Sequence, residues 1–393
     1  MLHPSRGESV RVEDFHAPAA GTLVTTMDGA LAFVPAPLPP TIDYDSELVL
    51  ALSRADGALS ELSGLGRQLP DPHLLIAPYL RQEAVLSSRI EGTVTTLSEL
   101  LIDQAGGATT ERERDDLREV RNYVTAMEHG LARLAELPLS LRLVREVHEQ
   151  LMRGVRGGTS APGEFRRIQN WIGPPGSTLA TATYVPPPVA EMTEALGLWE
   201  RFLNERDTVP VLVQCALMHE HFEAIHPFLD GNGRVGRLLI TLFLVERERL
   251  SQPLLYLSAF MDAHRNDYYD ALLRVRTEGD LRGWLLFFLA GVAETAERAA
   301  QQATSLMDLR ERYHELLRRA PRAVALVDEL FRSPYITTAS AASALGVSTP
   351  TAKRAMDKLL AEDVLEDLGE RAWRRVYVAP EILRAIETPL EDM

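Results

Sequence analysis

Residues 226 to 237 read HPFLDGNGRVGR, and hold one histidine, one aspartate, one asparagine, three glycines and two arginines. The stretch lies between two apolar, helix-periodic segments, VPVLVQCALMHEHFEAI and VGRLLITLFLVERERL. Its polar groups therefore gather at the N-terminus of the second helix, where free backbone N–H groups and the positive dipole end attract anions. Gly231 and Gly233 let the backbone bend tightly and approach a phosphate closely. Asn232 offers an amide donor, and Arg234 and Arg237 offer forked ones. Asp230 is awkward beside phosphate unless a cation lies between them, which suggests Mg²⁺ shared with a nucleotide. His226 has the pKa range to take a proton from an attacking hydroxyl. Together these parts suggest transfer of a phosphorus group onto a hydroxyl. This is no Walker A loop, because no Gly-Lys-Ser/Thr follows and no strand leads into it. A Gly-rich loop with one histidine is ordinarily a mere connector, but here every polar type that one reaction needs is concentrated in it.

The elements that position this loop are mostly helices. The chain has 393 residues, 46% of them hydrophobic and 25% charged, ordinary for a globular protein with room for two or three cores. A formal charge of −15 argues against coating nucleic acid along its length, though not against one local basic face. The single cysteine, Cys215, excludes an internal disulfide and fits a reducing cytoplasm. No signal-like N-terminus or membrane-length apolar run is present, so no membrane partner is expected. Residues 1–44, dense in proline, read as an extended arm that could hold a short hairpin. Residues 45–110 read as an N-terminal helical region, 111–300 as a helical core, and 301–320 as a helical linker. Within the core, TLATATYVPPP is the best strand or hairpin candidate. Residues 321–393 read as three short helices with a Gly-Val-Ser turn, followed by a two-stranded hairpin, the winged-helix arrangement. The expected fold is mainly α, with one small β element and a C-terminal winged helix-turn-helix.

HPFLDGNGRVGR closely resembles the signature of the Fic family, His-x-Phe-x-Asp/Glu-Gly-Asn-Gly-Arg-x-x-Arg, and every specified position matches. GEFRRIQNWIG, ATYVPPP and NDYYDALLRVRTEGDLRGWLLFFL resemble further Fic landmarks in the expected order, so the resemblance covers roughly residues 30 to 300. It implies a Fic-type helical domain that transfers AMP from ATP to a Ser, Thr or Tyr hydroxyl of a target protein and releases pyrophosphate. His226 would be the general base and Asp230 the Mg²⁺ ligand. Gly231, Asn232 and Gly233 would form the anion cradle, with Arg234 and Arg237 on the outer phosphates. A related branch that donates phosphate carries Lys where this chain has Gly233, which favours AMP transfer here.

Ser87 to Gly92, SSRIEG, resembles the Fic inhibitory helix. Ser87 and Glu91 stand four apart, on one helix face. The resemblance implies that Glu91 pairs with Arg237 and keeps it from the γ-phosphate. In some members the same glutamate serves removal of AMP, so that activity stays open as an alternative. The resemblance also implies that the target protein aligns on a flap near Tyr184 and that Tyr268 and Tyr269 contact adenine, although such a tyrosine pair equally suits core packing. Where some relatives carry Asn near the nucleoside, this chain has Arg276. A homodimer is a further expectation, because the family often couples dimerisation to inhibition.

The winged helix carries Lys353, Arg354 and Lys358 on its third helix and Arg371, Arg374 and Arg375 on its wing. Residues 321–378 nevertheless hold eight basic and eight acidic side chains. DNA and protein contact both stay open. From a different class, the chain could be a DNA-binding regulator that senses ATP without turnover. An intact His226 argues against that reading, since a sensor needs no base.

Overall fold

The computed structural model describes residues 14–68, 73–104, 111–155, 161–174, 176–369 and 375–387. It opens with an antiparallel hairpin, β1 (Gly21–Thr25) and β2 (Leu31–Pro35), paired from Gly21↔Pro35 to Thr25↔Leu31. Asp45 then caps α1 (Ser46–Gln68) by accepting from the Leu48 N–H at 2.9 Å. Helix α2 (His73–Ile90) follows, then α3 (Leu97–Gln104), which starts with a reciprocal Thr96–Glu99 capping box. Next come α4 (Glu111–Leu134) and α5 (Leu141–Leu151), an antiparallel pair, and α6 (Val189–Asn204).

Helix α7 (Val211–Ile225) is buried all round, because neighbours cover every face. Trp199 and Trp284 donate their indole N–H groups to α7 carbonyls at 2.9 and 3.0 Å. Helix α8 (Asn232–Glu246) packs on α7, and α9 (Ser258–Ala263) and α10 (Arg265–Glu278) follow. Helix α11 (Leu281–Leu316) is 36 residues long and runs along α1, where Arg54 holds Glu297 through two bonds of 3.0 and 2.9 Å. The segment expected as a linker thus continues a core helix through Leu316.

The C-terminal part contains α12 (Pro321–Arg332), β3 (Tyr335–Thr337), α13 (Thr338–Leu345), α14 (Thr349–Ala361), β4 (Glu366–Asp367), β5 (Val376–Val378) and α15 (Pro380–Glu387). Its antiparallel sheet has the order β3-β5-β4, so this part consists of four helices and a three-stranded sheet, consistent with a winged helix-turn-helix. The expected two-stranded hairpin gains β3 as a third strand, and Arg371 and Arg374 lie outside the described residues. One apolar core runs without a break from Leu48 on α1 to Ile386 on α15.

TLATATYVPPP does not form the expected strand. It holds a single 3-10 turn, Leu179–Thr181, and one antiparallel bridge between Ile172 and Tyr184. Prolines 186 to 188 lack the N–H donors that would extend a ladder beyond that bridge.

Candidate active site

The loop is set by two left-handed residues. His226 (φ 49°) ends α7 and Gly231 (φ 79°) begins α8. Asn232 fixes the path between them. Its side-chain oxygen accepts the Phe228 N–H at 2.8 Å and its amide donates to the Phe228 carbonyl at 2.9 Å. One of the two amide hydrogens of buried Asn232 is thus engaged inside the loop, so the side chain shapes the bend.

Two side chains from the GEFRRIQN segment hold the loop from below. Arg166 donates to the His226 carbonyl at 3.1 Å, and Asn170 donates to the His226 and Phe228 carbonyls at 3.2 and 2.9 Å. His148 on α5 stacks on Phe228 with centroids 3.7 Å apart. Its Nδ1 accepts the Gly163 N–H at 2.9 Å, which leaves Nε2 to donate to the Asp230 carbonyl at 3.1 Å. Burial pushes this imidazole down to about 4, so it acts as a neutral strut.

The His226 imidazole is also held low, at about 3, by burial and then by the charges of Arg276 and Arg166. It is neutral at pH 7, and its Nδ1 has no hydrogen-bond partner among the described residues. Asp230 is largely exposed. One of its oxygens accepts the Gly231 N–H at 2.6 Å, and Arg234 lies 3.8 Å away. Arg234 is buried and pairs at 3.0 Å with Glu119 of α4.

Arg237 is the most constrained cation. It donates to Ser87 Oγ and the Ser87 carbonyl at 2.9 Å each, and to Glu91 Oε1 at 2.8 Å. Glu91 follows the last turn of α2 directly. Burial is the largest single influence and would raise its carboxyl, but the charge and hydrogen bond of Arg237, joined by other positive charge including Arg234, together bring it to about 2. A Cβ on Gly233 would collide with Glu91 Oε1, so glycine there lets the carboxylate sit over the start of α8.

Glu91, His226, Gly233, Arg237, Tyr268 and Tyr269 line one cavity of about 210 Å³, together with Glu223 and Arg276. Tyr268 is almost wholly buried, with its hydroxyl 2.9 Å from His219 Nε2, so most of the ring is core. Tyr184 is fully buried. Its hydroxyl donates to the Ala224 carbonyl at 2.7 Å and its ring lies 4.4 Å under the Arg276 guanidinium. Tyr184 therefore anchors the flap, while exposed Trp171 and Ile168 present its outer side. The structural partners His148, Arg166, Asn170, Glu119 and Glu223 were not singled out by residue type. Arg166 and Asn170 did lie inside a segment marked by family resemblance.

The helical bundle thus brings an arginine-bearing, glycine-bent loop at a helix N-terminus and one histidine to a single cavity. Residues 49–132 match the Fic/DOC family N-terminal model and residues 138–244 match the Fic/DOC family model. The chain belongs to the Fic/DOC family. It is 29% identical over 202 residues to "Protein adenylyltransferase Fic" of Drosophila yakuba, a match covering 50% of this chain and 37% of that one. It is also 29% identical over 215 residues to the protein of the same name from Aedes aegypti, covering 53% and 38%. The chain thus spans well under half the length of these relatives. The crystal structure of a Fic family protein from Desulfovibrio desulfuricans G20 shares the fold, with a TM-score of 0.55 and 20% identity over 86% of this chain and 98% of that one.

Proposed function

We propose that the protein is an autoinhibited adenylyltransferase that transfers AMP from ATP to a hydroxyl side chain of a target protein and releases pyrophosphate. The Arg237–Glu91 contact at 2.8 Å carries this reading, because the cation that suits an outer phosphate is engaged by a carboxylate from α2. The cavity of about 210 Å³ agrees with it, being below the roughly 300–1,000 Å³ of ordinary ligand sites. Glu91 occupies part of the space that a triphosphate needs.

With Glu91 withdrawn, Arg237 and Arg234 hold the outer phosphates, and the N–H groups at the start of α8 face the chain between them. His226, neutral and with a free ring nitrogen, takes the proton from the target hydroxyl. The hydroxyl oxygen bonds to the α-phosphorus as the bond to pyrophosphate breaks. Bound phosphate charge raises the pKa of His226 toward that task. Asp230 fits Mg²⁺: its second oxygen is open, and no further acidic or histidine cluster surrounds it among the described residues, which suits an ion that keeps waters and phosphates as its other ligands. The ion would neutralise phosphate charge. The target segment docks on the flap beside the Ile172–Tyr184 bridge, by backbone pairing.

Because Glu91 lines the same cavity as His226, removal of AMP by the same site is a second reading. Incubation with α-labelled ATP and Mg²⁺, with and without cell lysate, separates the two. Label should enter protein in Glu91→Gly, stay low in wild type, and vanish in Glu91→Gly with His226→Ala. An unlabelled Glu91→Gly would defeat the transferase reading and leave AMP removal or nucleotide sensing.

A further inference from the structure

The chain has only two lysines, Lys353 and Lys358, and both stand on α14. Lys353 is engaged, 2.7 Å from Asp357 and over the Tyr377 ring at 5.2 Å. Lys358 is different. With Arg354 on the same helix and Arg322 at the start of α12 it rims a depression of about 200 Å³, beside Thr351. Asp328 pairs with Arg310, Glu329 with Arg332, Asp357 with Lys353 and Asp367 with Arg375, while exposed Glu362, one turn beyond Lys358, has no cation partner among the described residues. Among the described residues, no carboxylate pairs with Arg322, Arg354 or Lys358. In a chain of formal charge −15, three exposed cations left open around one depression need a partner of their own.

Residues 351, 354 and 358 repeat at helical spacing, so they share one face of α14. That face meets the N-terminus of α12, which has Pro321 in its first turn and no acidic residue there. The positive end of its dipole adds to the same field. The exposed hydroxyl residues Ser348 and Thr349 open α14. Forked and point cations, hydroxyls and a helix N-terminus are the groups that take phosphate oxygens of a duplex backbone. Arg354, Lys358 and the hydroxyls lie on the third helix of a helix-turn-helix, the element such folds bring to DNA, and Arg322 flanks them from the start of α12. Despite the equal count of acids and bases in this module, Arg322, Arg354 and Lys358 ring one depression, with Glu362 one turn beyond Lys358 at its edge. We infer that the winged helix binds duplex DNA through its phosphate backbone, with Arg322, Arg354 and Lys358 as the contacts.

The test is fluorescence anisotropy of a labelled duplex of about 20 base pairs with the full chain. Three phosphate contacts give a log–log salt slope of about −2.7, so affinity should fall roughly 40-fold from about 50 to 200 mM salt. Arg322→Gln, Arg354→Gln and Lys358→Gln should each flatten the slope by about one unit. Together they should weaken binding at least roughly tenfold at low salt, while Arg201→Gln on exposed α6 changes neither. A thermal melt checks that the triple variant stays folded. Absence of duplex binding at low salt, or binding that the triple variant leaves unchanged, overturns the inference. Displacement of the duplex by inorganic phosphate at matched ionic strength would assign the depression to a free anion, and would also overturn it.

Discussion

Glu223 stands one turn ahead of His226 and shows how burial sets a single carboxyl. Burial pushes it up to about 7 from an ordinary value of 4.5, against the opposing charge of Arg237. Its Oε1 has no partner among the described residues, and a Cβ on Gly236 would collide with it. The folded-state value is raised, so the stability its proton gives is full below about 4.5 and is lost as pH rises through about 7. Glu223→Gln keeps the shape without the ionisation. It should match wild type near pH 5 and exceed it by up to about 3 kcal/mol above pH 7. Urea unfolding at pH 5 and pH 8 measures this, and an equal difference at both pH values would count against it. Glu91 is shifted the other way, to about 2, because the surrounding positive charge, Arg237 foremost, together exceeds the effect of its burial. Its pairing is present above the unfolded value near 4.5 and is lost only as pH falls toward 2. Wild-type labelling should therefore stay low from pH 5.5 to 8, and a rise on mild acidification would show that something other than this pair holds the brake.

Between α7 and α8 the loop keeps its shape through side chains from elsewhere. Asn170 is the sole donor among them that spans the His226 and Phe228 carbonyls, at 3.2 and 2.9 Å. Asn170→Ala removes one of two donors from each carbonyl, which keep Arg166 and Asn232 respectively, at a net cost of about 0.5–1.5 kcal/mol per lost bond. In the Glu91→Gly background it should lower the labelling rate at least roughly tenfold, because His226 loses its fixed left-handed turn. An unchanged rate would mean that Arg166 alone suffices. The loop itself was legible in the sequence because its reactive types are contiguous, and the link from Glu91 to Arg237 because a family pattern joins two distant segments. His148, Glu119 and Asn170 were not, since an ordinary histidine, glutamate or asparagine becomes a strut only when helices far apart in sequence meet. The bonds of Asn232 inside the loop were not legible for a related reason, as an amide bonds whichever partner the bend brings near, and here that is Phe228. TLATAT has strand composition but only one bridging partner, so composition could not decide it. Helices α3 and α9, of 8 and 6 residues, are too short to show a helical period.

Across the molecule, the helix that leads into Glu91 is gripped from two sides. On the bundle side, Glu83 of α2 accepts from Tyr123 of α4 at 3.1 Å and from the backbone N–H of Ser258 at 3.2 Å. On the other side α12 of the C-terminal part packs along α2, and Arg81 donates to the Arg332 carbonyl at the end of α12 at 2.9 Å. Just after the brake, Ser98 of α3 donates to Glu387 of α15 at 3.1 Å. The position of Glu91 over Gly233 thus depends on contacts made by residues more than two hundred positions away, within one continuous core. Removing one of them should loosen α2 without unfolding the loop that carries His226. Arg81→Ala deletes a charged donor to a carbonyl, a contribution of about 1–3 kcal/mol to the α2–α12 contact. If a third to a half of that bears on the Glu91–Arg237 pairing, labelling with α-labelled ATP should rise roughly twofold to tenfold over wild type, short of Glu91→Gly. Adding His226→Ala should abolish the rise, which ties it to the same chemistry. A lower melting temperature with labelling unchanged would mean that the bundle alone holds α2, and that the winged helix rests on the brake without acting on it.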